Sequence, residues 1–279
     1  MRDVPGDGKR LSYYQFGSTA LFASQYDQRF SYCLHVPRGY SEDDERRYPL
    51  VVAVHGTART VQTCRDEFAG FCEEHDCVVL APLFPAGIGE PGELSNYKYI
   101  SYRGIRYDHV LLAMIEEVAG IWRVDAGRFL LTGFSGGGQF AHRFTYLHPE
   151  RLRAVSIGAP GVVTLLDEEH PWWVGVGDLE ERFGRALDLD ALRRVAVHLV
   201  VGGADTDTWE ITVTPDSPRY QPGADLQGAN RIDRITALAL GFERHGVPVR
   251  LEIVPGAIHE REPLIPSTLA FFHTVLSGQ

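Results

Sequence analysis

The sequence predicts an α/β protein built on a central, mostly parallel sheet of about eight strands with helices on both faces. Three observations predict it. Short runs of β-branched and apolar residues alternate along the chain with amphipathic stretches of roughly 10 to 15 residues. Several of the short runs are apolar throughout, as strands covered on both faces are. The length of 279 residues suits one domain spanning 1–279, because sheets covered on both faces often reach this size as a single unit.

Taken in order, 30–36 alternates in character and reads as an early edge strand, whereas 50–54 (Leu-Val-Val-Ala-Val) is continuously apolar. Further buried-strand candidates are 77–81, 128–132, 154–157, 195–201 and 249–254. Helical patterns fall between them at 63–75, 108–122, 137–148, 231–245 and 267–277. In the second of these Asp108 is placed as an N-cap, and Leu111, Leu112, Ile115 and Val118 supply the apolar face. Three connections are long. The stretch 84–104 is rich in Gly, Pro and Tyr. The stretch 161–194 holds the pair Trp172 and Trp173 and reads as a lid or cap insertion, or as an insertion that merely covers the sheet. The third, 206–230, has the turn-rich composition of an irregular loop.

Composition narrows the function. Lys and Arg number 27 against 37 Asp and Glu, a net charge of -10, and no basic stripe interrupts the acidic surface to attract nucleic acid. No stretch approaches the roughly 18 to 20 apolar residues of a membrane helix. Met1 to Arg10 contain no apolar core of the kind a secretory signal needs, so a cytoplasmic protein is expected. Cys33, Cys64, Cys72 and Cys77 lack the repeated Cys-x-x-Cys spacing of a zinc site; they are expected as free thiols packed as small hydrophobes, and no metal is anticipated. The oligomeric state is left open, a homo-oligomer included.

The chemistry concentrates at Gly133, Phe134, Ser135, Gly136 and Gly137. Gly-x-Ser-x-Gly alone is a modest signal in a chain with 29 glycines. Here it directly follows a strand candidate and opens a helix candidate, the context in which the pattern marks a nucleophile elbow. The glycines are required because the turn brings strand and helix backbones together, and the helix then points its positive end at Ser135.

Partners for Ser135 follow in chain order. The strand at 195–201 runs into Gly202, Gly203, Ala204 and Asp205, which places Asp205 as the acid; Asp207, two residues further on, is the alternative. His259 comes after the last strand and before the last helix, a position none of the other ten histidines shares. His55, Gly56, Thr57 and Ala58 follow the strand at 50–54, where an oxyanion donor is needed. The backbone N–H groups of Thr57, with Ala58 in reserve, and of Gly136 are therefore expected to face the oxyanion. Phe134, Trp172, Trp173 and the tyrosines of 97–107 are candidates for the pocket wall, with ordinary core aromatics as the other reading.

The stretches 54–57, 133–144, 148–154 and 202–205 together resemble the α/β-hydrolase superfamily, from about Phe30 to the last helix. The resemblance is to its esterase branch, which includes polyhydroxybutyrate depolymerase-like and feruloyl-esterase-like proteins. It implies ester hydrolysis without a cofactor, through an acyl-enzyme on Ser135 with His259 as base and Asp205 orienting it. The absence of a signal peptide and of a disulfide framework departs from secreted members and favours a small or soluble intracellular ester. An amidase or peptidase, an acyltransferase, and a noncatalytic binder that kept the pocket are the competing readings. Because the base must be neutral, the rate is expected to fall as acid protonates His259.

Overall fold

The computed structural model describes residues 11–278; Met1 to Arg10, on which the expectation of a cytoplasmic location rests, lie outside the described residues. In chain order the strands are β1 (Gly17–Ser18), β2 (Phe22–Ala23), β3 (Ser31–Val36), β4 (Leu50–Val54), β5 (Val78–Leu83), β6 (Ser101–Tyr102), β7 (Ile105–Arg106), β8 (Phe129–Phe134), β9 (Leu152–Gly158), β10 (Ala196–Gly202) and β11 (Val249–Val254). The helices are α1 (Val61–Asp66), α2 (Ala69–His75), α3 (Tyr107–Ala119), α4 (Gly136–Leu147), α5 (Leu179–Phe183), α6 (Leu189–Leu192), α7 (Arg231–Arg244) and α8 (Ile265–Ser277).

The main sheet runs β1-β3-β5-β4-β8-β9-β10-β11, with β2 also paired to β3. From β5 to β11 the neighbours are parallel, and β3 joins β5 antiparallel. β6 and β7 form a separate ribbon. The uninterrupted apolar run of β4 is explained by its two covers: Leu50, Val52 and Val54 enter the core that also holds residues of α3, α4 and α7, while Val51 and Ala53 enter the one with residues of α1, α2 and α8. All four cysteines are unpaired and sit in that second core. Among the described residues no helix is long and apolar enough to cross a membrane.

Two local expectations are corrected. The helix expected at 63–75 is two helices, α1 and α2, broken at Glu67 and Phe68. Asp108 is not an N-cap: Arg106 holds that position, and Asp108 lies inside α3. Its buried carboxylate accepts from Arg106 Nε at 2.9 Å and His148 Nε2 at 2.8 Å. Those hydrogen bonds outweigh burial and hold its pKa down at about 2.

Three buried histidines act as neutral cross-links. His55 Nδ1 donates to Gly56 O at 2.8 Å, and its Nε2 accepts from the Phe84 amide at 2.9 Å. His142 repeats the pattern, donating to Gly138 O and accepting from the Thr164 amide. His198 lies between the hydroxyls of Ser156 and Ser267. Burial lowers all three pKa values, to about 3 for His55 and about 4 for His198.

The unfolded chain therefore takes up protons near the ordinary histidine value of 6.5, while the folded chain refuses them. Stability is full above that value and is lost as pH falls towards the folded values, by up to roughly 1.4 kcal/mol per pH unit for each histidine. Thermal denaturation should show Tm falling by several degrees between pH 7 and pH 5; a flat Tm across that window would contradict the assignment.

Candidate active site

β8 ends at Phe134 and α4 begins at Gly136, which leaves Ser135 to make the whole turn. Its backbone sits at φ 55° and ψ -113°, a region L-residues avoid unless the surroundings impose it. The surroundings here are backbone. A Cβ on Gly133 would lie 2.3 Å from the carbonyl carbon of Gly137, and one on Gly137 would lie 2.3 Å from Val54 O. No side chain fits at either position, so the two flanking glycines are a steric requirement of strand and helix meeting at Ser135. The Ser135 amide donates to Gly158 O at 2.8 Å, tying the turn to β9.

His259 and Asp205 reach this serine from the ends of neighbouring strands, β11 and β10. His259 Nε2 lies 3.1 Å from Ser135 Oγ, and its Nδ1 lies 2.7 Å from Asp205 Oδ2. A carboxylate only accepts, so Nδ1 carries the proton and Nε2 is left to accept from the serine hydroxyl. Asp205 is buried, and its other oxygen accepts from Arg231 Nη1 at 3.2 Å. Arg231, the first residue of α7, also donates to Glu210 at 3.0 Å. Asp207 is exposed, and the bond to His259 comes from Asp205. Phe134 stacks on the imidazole with ring centres 4.8 Å apart.

The turn after β4 lies beside this group because β4 and β8 pair in parallel with Val54 opposite Gly133. Among the described residues, the amides of Thr57, Ala58 and Gly136 donate to no protein acceptor. The turn is held from several sides: His55 bonds Gly56 O, Tyr97 Oη donates to His55 O at 3.0 Å, and Arg59 Nη1 donates to Thr57 O at 2.6 Å. Donors fixed in advance stabilise a developing negative charge without having to reorganise.

A cleft of about 810 Å³ opens over Ser135 and His259. Thr57, Phe134, Gln139 and Lys98 line it, together with Trp209, Glu210 and Ile211 of the 206–230 connection. Phe134 is thus where the sequence placed it. Trp172 and Trp173 are not: both are buried, with indole N–H groups donating to Tyr99 O and Arg219 O, and neither lines the cleft. Of 161–194, Gly161 alone reaches the cleft wall. Tyr97 and Tyr107 are core residues, as the alternative reading of those tyrosines had it. The sequence reading missed Lys98 and Trp209, and a tryptophan in a loop with so little else to bury it was the available signal for the second.

No protein family profile and no curated protein sequence matches the chain. Solved structures do. The poly(3-hydroxybutyrate) depolymerase of Bordetella parapertussis superposes with a TM-score of 0.72 at 22% identity, over 94% of this chain and 91% of its own. Poly(aspartic acid) hydrolase-1 of Sphingomonas sp. KT-1 gives 0.71 at 20% identity, over 91% and 97%. An S-formylglutathione hydrolase of Agrobacterium tumefaciens gives 0.61 at 16% identity, over 96% and 98%. The chain has the α/β-hydrolase fold.

Proposed function

We propose that the protein is a serine hydrolase that cleaves carboxylic esters of a small substrate through an acyl-enzyme on Ser135, without a cofactor. The observation that carries this reading is the hydrogen-bonded series Asp205, His259, Ser135 at 2.7 and 3.1 Å, opening into a cleft large enough for a small ester. In it, Ser135 Oγ attacks the ester carbonyl as His259 Nε2 takes the hydroxyl proton. The Thr57 and Gly136 amides receive the oxyanion. His259 then protonates the departing alcohol, deprotonates a water that attacks the acyl carbon, and returns that proton to Ser135 Oγ as the bond to the acyl carbon breaks and the acid leaves. A poly(3-hydroxybutyrate) depolymerase among the solved structures of this fold supports ester chemistry, and four buried free thiols favour a reducing, cytoplasmic setting.

Labelling with a fluorophosphonate, with the modified residue located by peptide mass spectrometry, tests the nucleophile; a panel of para-nitrophenyl esters of increasing acyl length tests the reaction. Label on Ser135 with ester turnover is expected. An unlabelled Ser135 would favour a ligand-binding protein without catalysis.

A further inference from the structure

Lys98 is the cleft residue that the proposed mechanism leaves without a task. It belongs to the short turn Asn96–Tyr99, whose backbone is held by the Lys98 amide donating to Ser95 O at 3.1 Å and by Arg143 Nη1 donating to Lys98 O at 2.6 Å. The side chain passes beside the oxyanion corner: a Cβ on Gly136 would lie 2.9 Å from Lys98 Cε and 3.1 Å from Thr57 Oγ1. The residue is only 8% exposed, yet its ammonium has one weak bond, to Ser95 Oγ at 3.4 Å. Among the described residues no carboxylate comes within salt-bridge distance of it.

That isolation is informative in a chain with 37 acidic residues. The other two cations of the cleft are paired, Arg231 with Asp205 and Glu210, and Arg261 with Glu67. A buried ammonium without a counter-ion is costly, and here it faces the space that substrate enters. Burial first, then the cations Arg59 and Arg219, lower its pKa to about 8, against weaker opposition from Glu93 and Glu210. It is still mainly protonated at neutral pH, and a substrate anion would supply the missing partner.

Resting on the esterase reading, we infer that Lys98 selects esters carrying a carboxylate a few bonds from the scissile carbonyl, by pairing with that carboxylate beside the oxyanion donors. A charge pair of this kind, largely removed from water, contributes to binding well above an exposed one.

Two matched substrate pairs test the inference. Mono-para-nitrophenyl glutarate against para-nitrophenyl hexanoate places the charge on the acyl side; meta-carboxyphenyl butyrate against phenyl butyrate places it on the alcohol side. The wild type should prefer the anionic member of at least one pair by tenfold or more in kcat/KM, and the preference should fade as pH rises through about 8. Lys98→Met should cut that preference at least tenfold, mainly through KM, and Lys98→Arg should restore part of it.

A wild type without preference, or a preference that survives in Lys98→Met, overturns the inference. So does an equal fall in kcat for both members of a pair, which would assign Lys98 to the oxyanion instead. Failure of the esterase reading looks different: none of the four esters turns over and Ser135 takes no fluorophosphonate label. Calorimetric titration with glutarate then decides the anion site, and equal or absent binding in wild type and Lys98→Met overturns it.

Discussion

Ser135→Ala should lower kcat for a para-nitrophenyl ester by about 10⁴- to 10⁶-fold while leaving Tm within a few degrees. The proposed reaction requires Oγ to form a bond to the acyl carbon, and among the described residues no other hydroxyl is hydrogen-bonded to His259 Nε2. The residual rate would come from the Thr57 and Gly136 amides and from the cleft, which still gather substrate and stabilise charge for a direct attack by water. Stability should survive because the turn is fixed by the Ser135 amide on Gly158 and by backbone packing at Gly133 and Gly137, none of which uses the hydroxyl. Stopped-flow kinetics on pure protein, with differential scanning calorimetry alongside, checks both halves. Retention of a tenth of the wild-type rate would remove Ser135 as the nucleophile.

Asp205→Asn should cost about 10⁴-fold in kcat. The carboxylate can only accept, which keeps the proton on Nδ1 of His259; an amide can present its N–H₂ to Nδ1 and so push the proton to Nε2, the atom that must receive the serine hydrogen. The substitution also removes the charge that stabilises the imidazolium formed during attack. Arg231 keeps Glu210 as a partner at 3.0 Å, so the helix it begins should stay docked and the protein should still melt cooperatively. Asp207→Asn, at an exposed position, should leave kcat within about twofold, well inside the usual small effect of surface changes. A large loss in the second variant and a small one in the first would exchange the two residues' roles.

The parts of the fold that could be read from the sequence are those where one physical constraint dominates. β4 matches its expected bounds because burial on both faces demands an unbroken apolar run, and Ser135 stands out because a Cβ two positions to either side of it would lie 2.3 Å from backbone, which leaves only glycine there. Asp205 and His259 were legible because strand ends in a parallel sheet converge on one rim.

What was misread or missed has separate causes. Val61, Cys64, Phe68, Phe71 and Cys72 keep a helical period straight through the break between α1 and α2, so periodicity registers one helix. Trp172 and Trp173 drew attention by size, but their N–H groups find backbone carbonyls inside the fold. Lys98 gave no signal at all, since a lone lysine in a Gly- and Tyr-rich stretch acquires meaning only once its ammonium is seen, among the described residues, to have no carboxylate within salt-bridge distance.

The sequence separations within the proposed triad bear on when the protein becomes chemically competent. Ser135 and His259 are 124 positions apart, and Asp205 and His259 are 54 apart. During synthesis Ser135 and the Thr57 turn are made well ahead of Asp205 and His259, and for that interval the proposed nucleophile has nothing to deprotonate it. Docking of the last parallel strand is what delivers His259. A centre divided in this way would stay silent on every unfinished chain, and the proposed reaction would begin only once β11 has docked on β10.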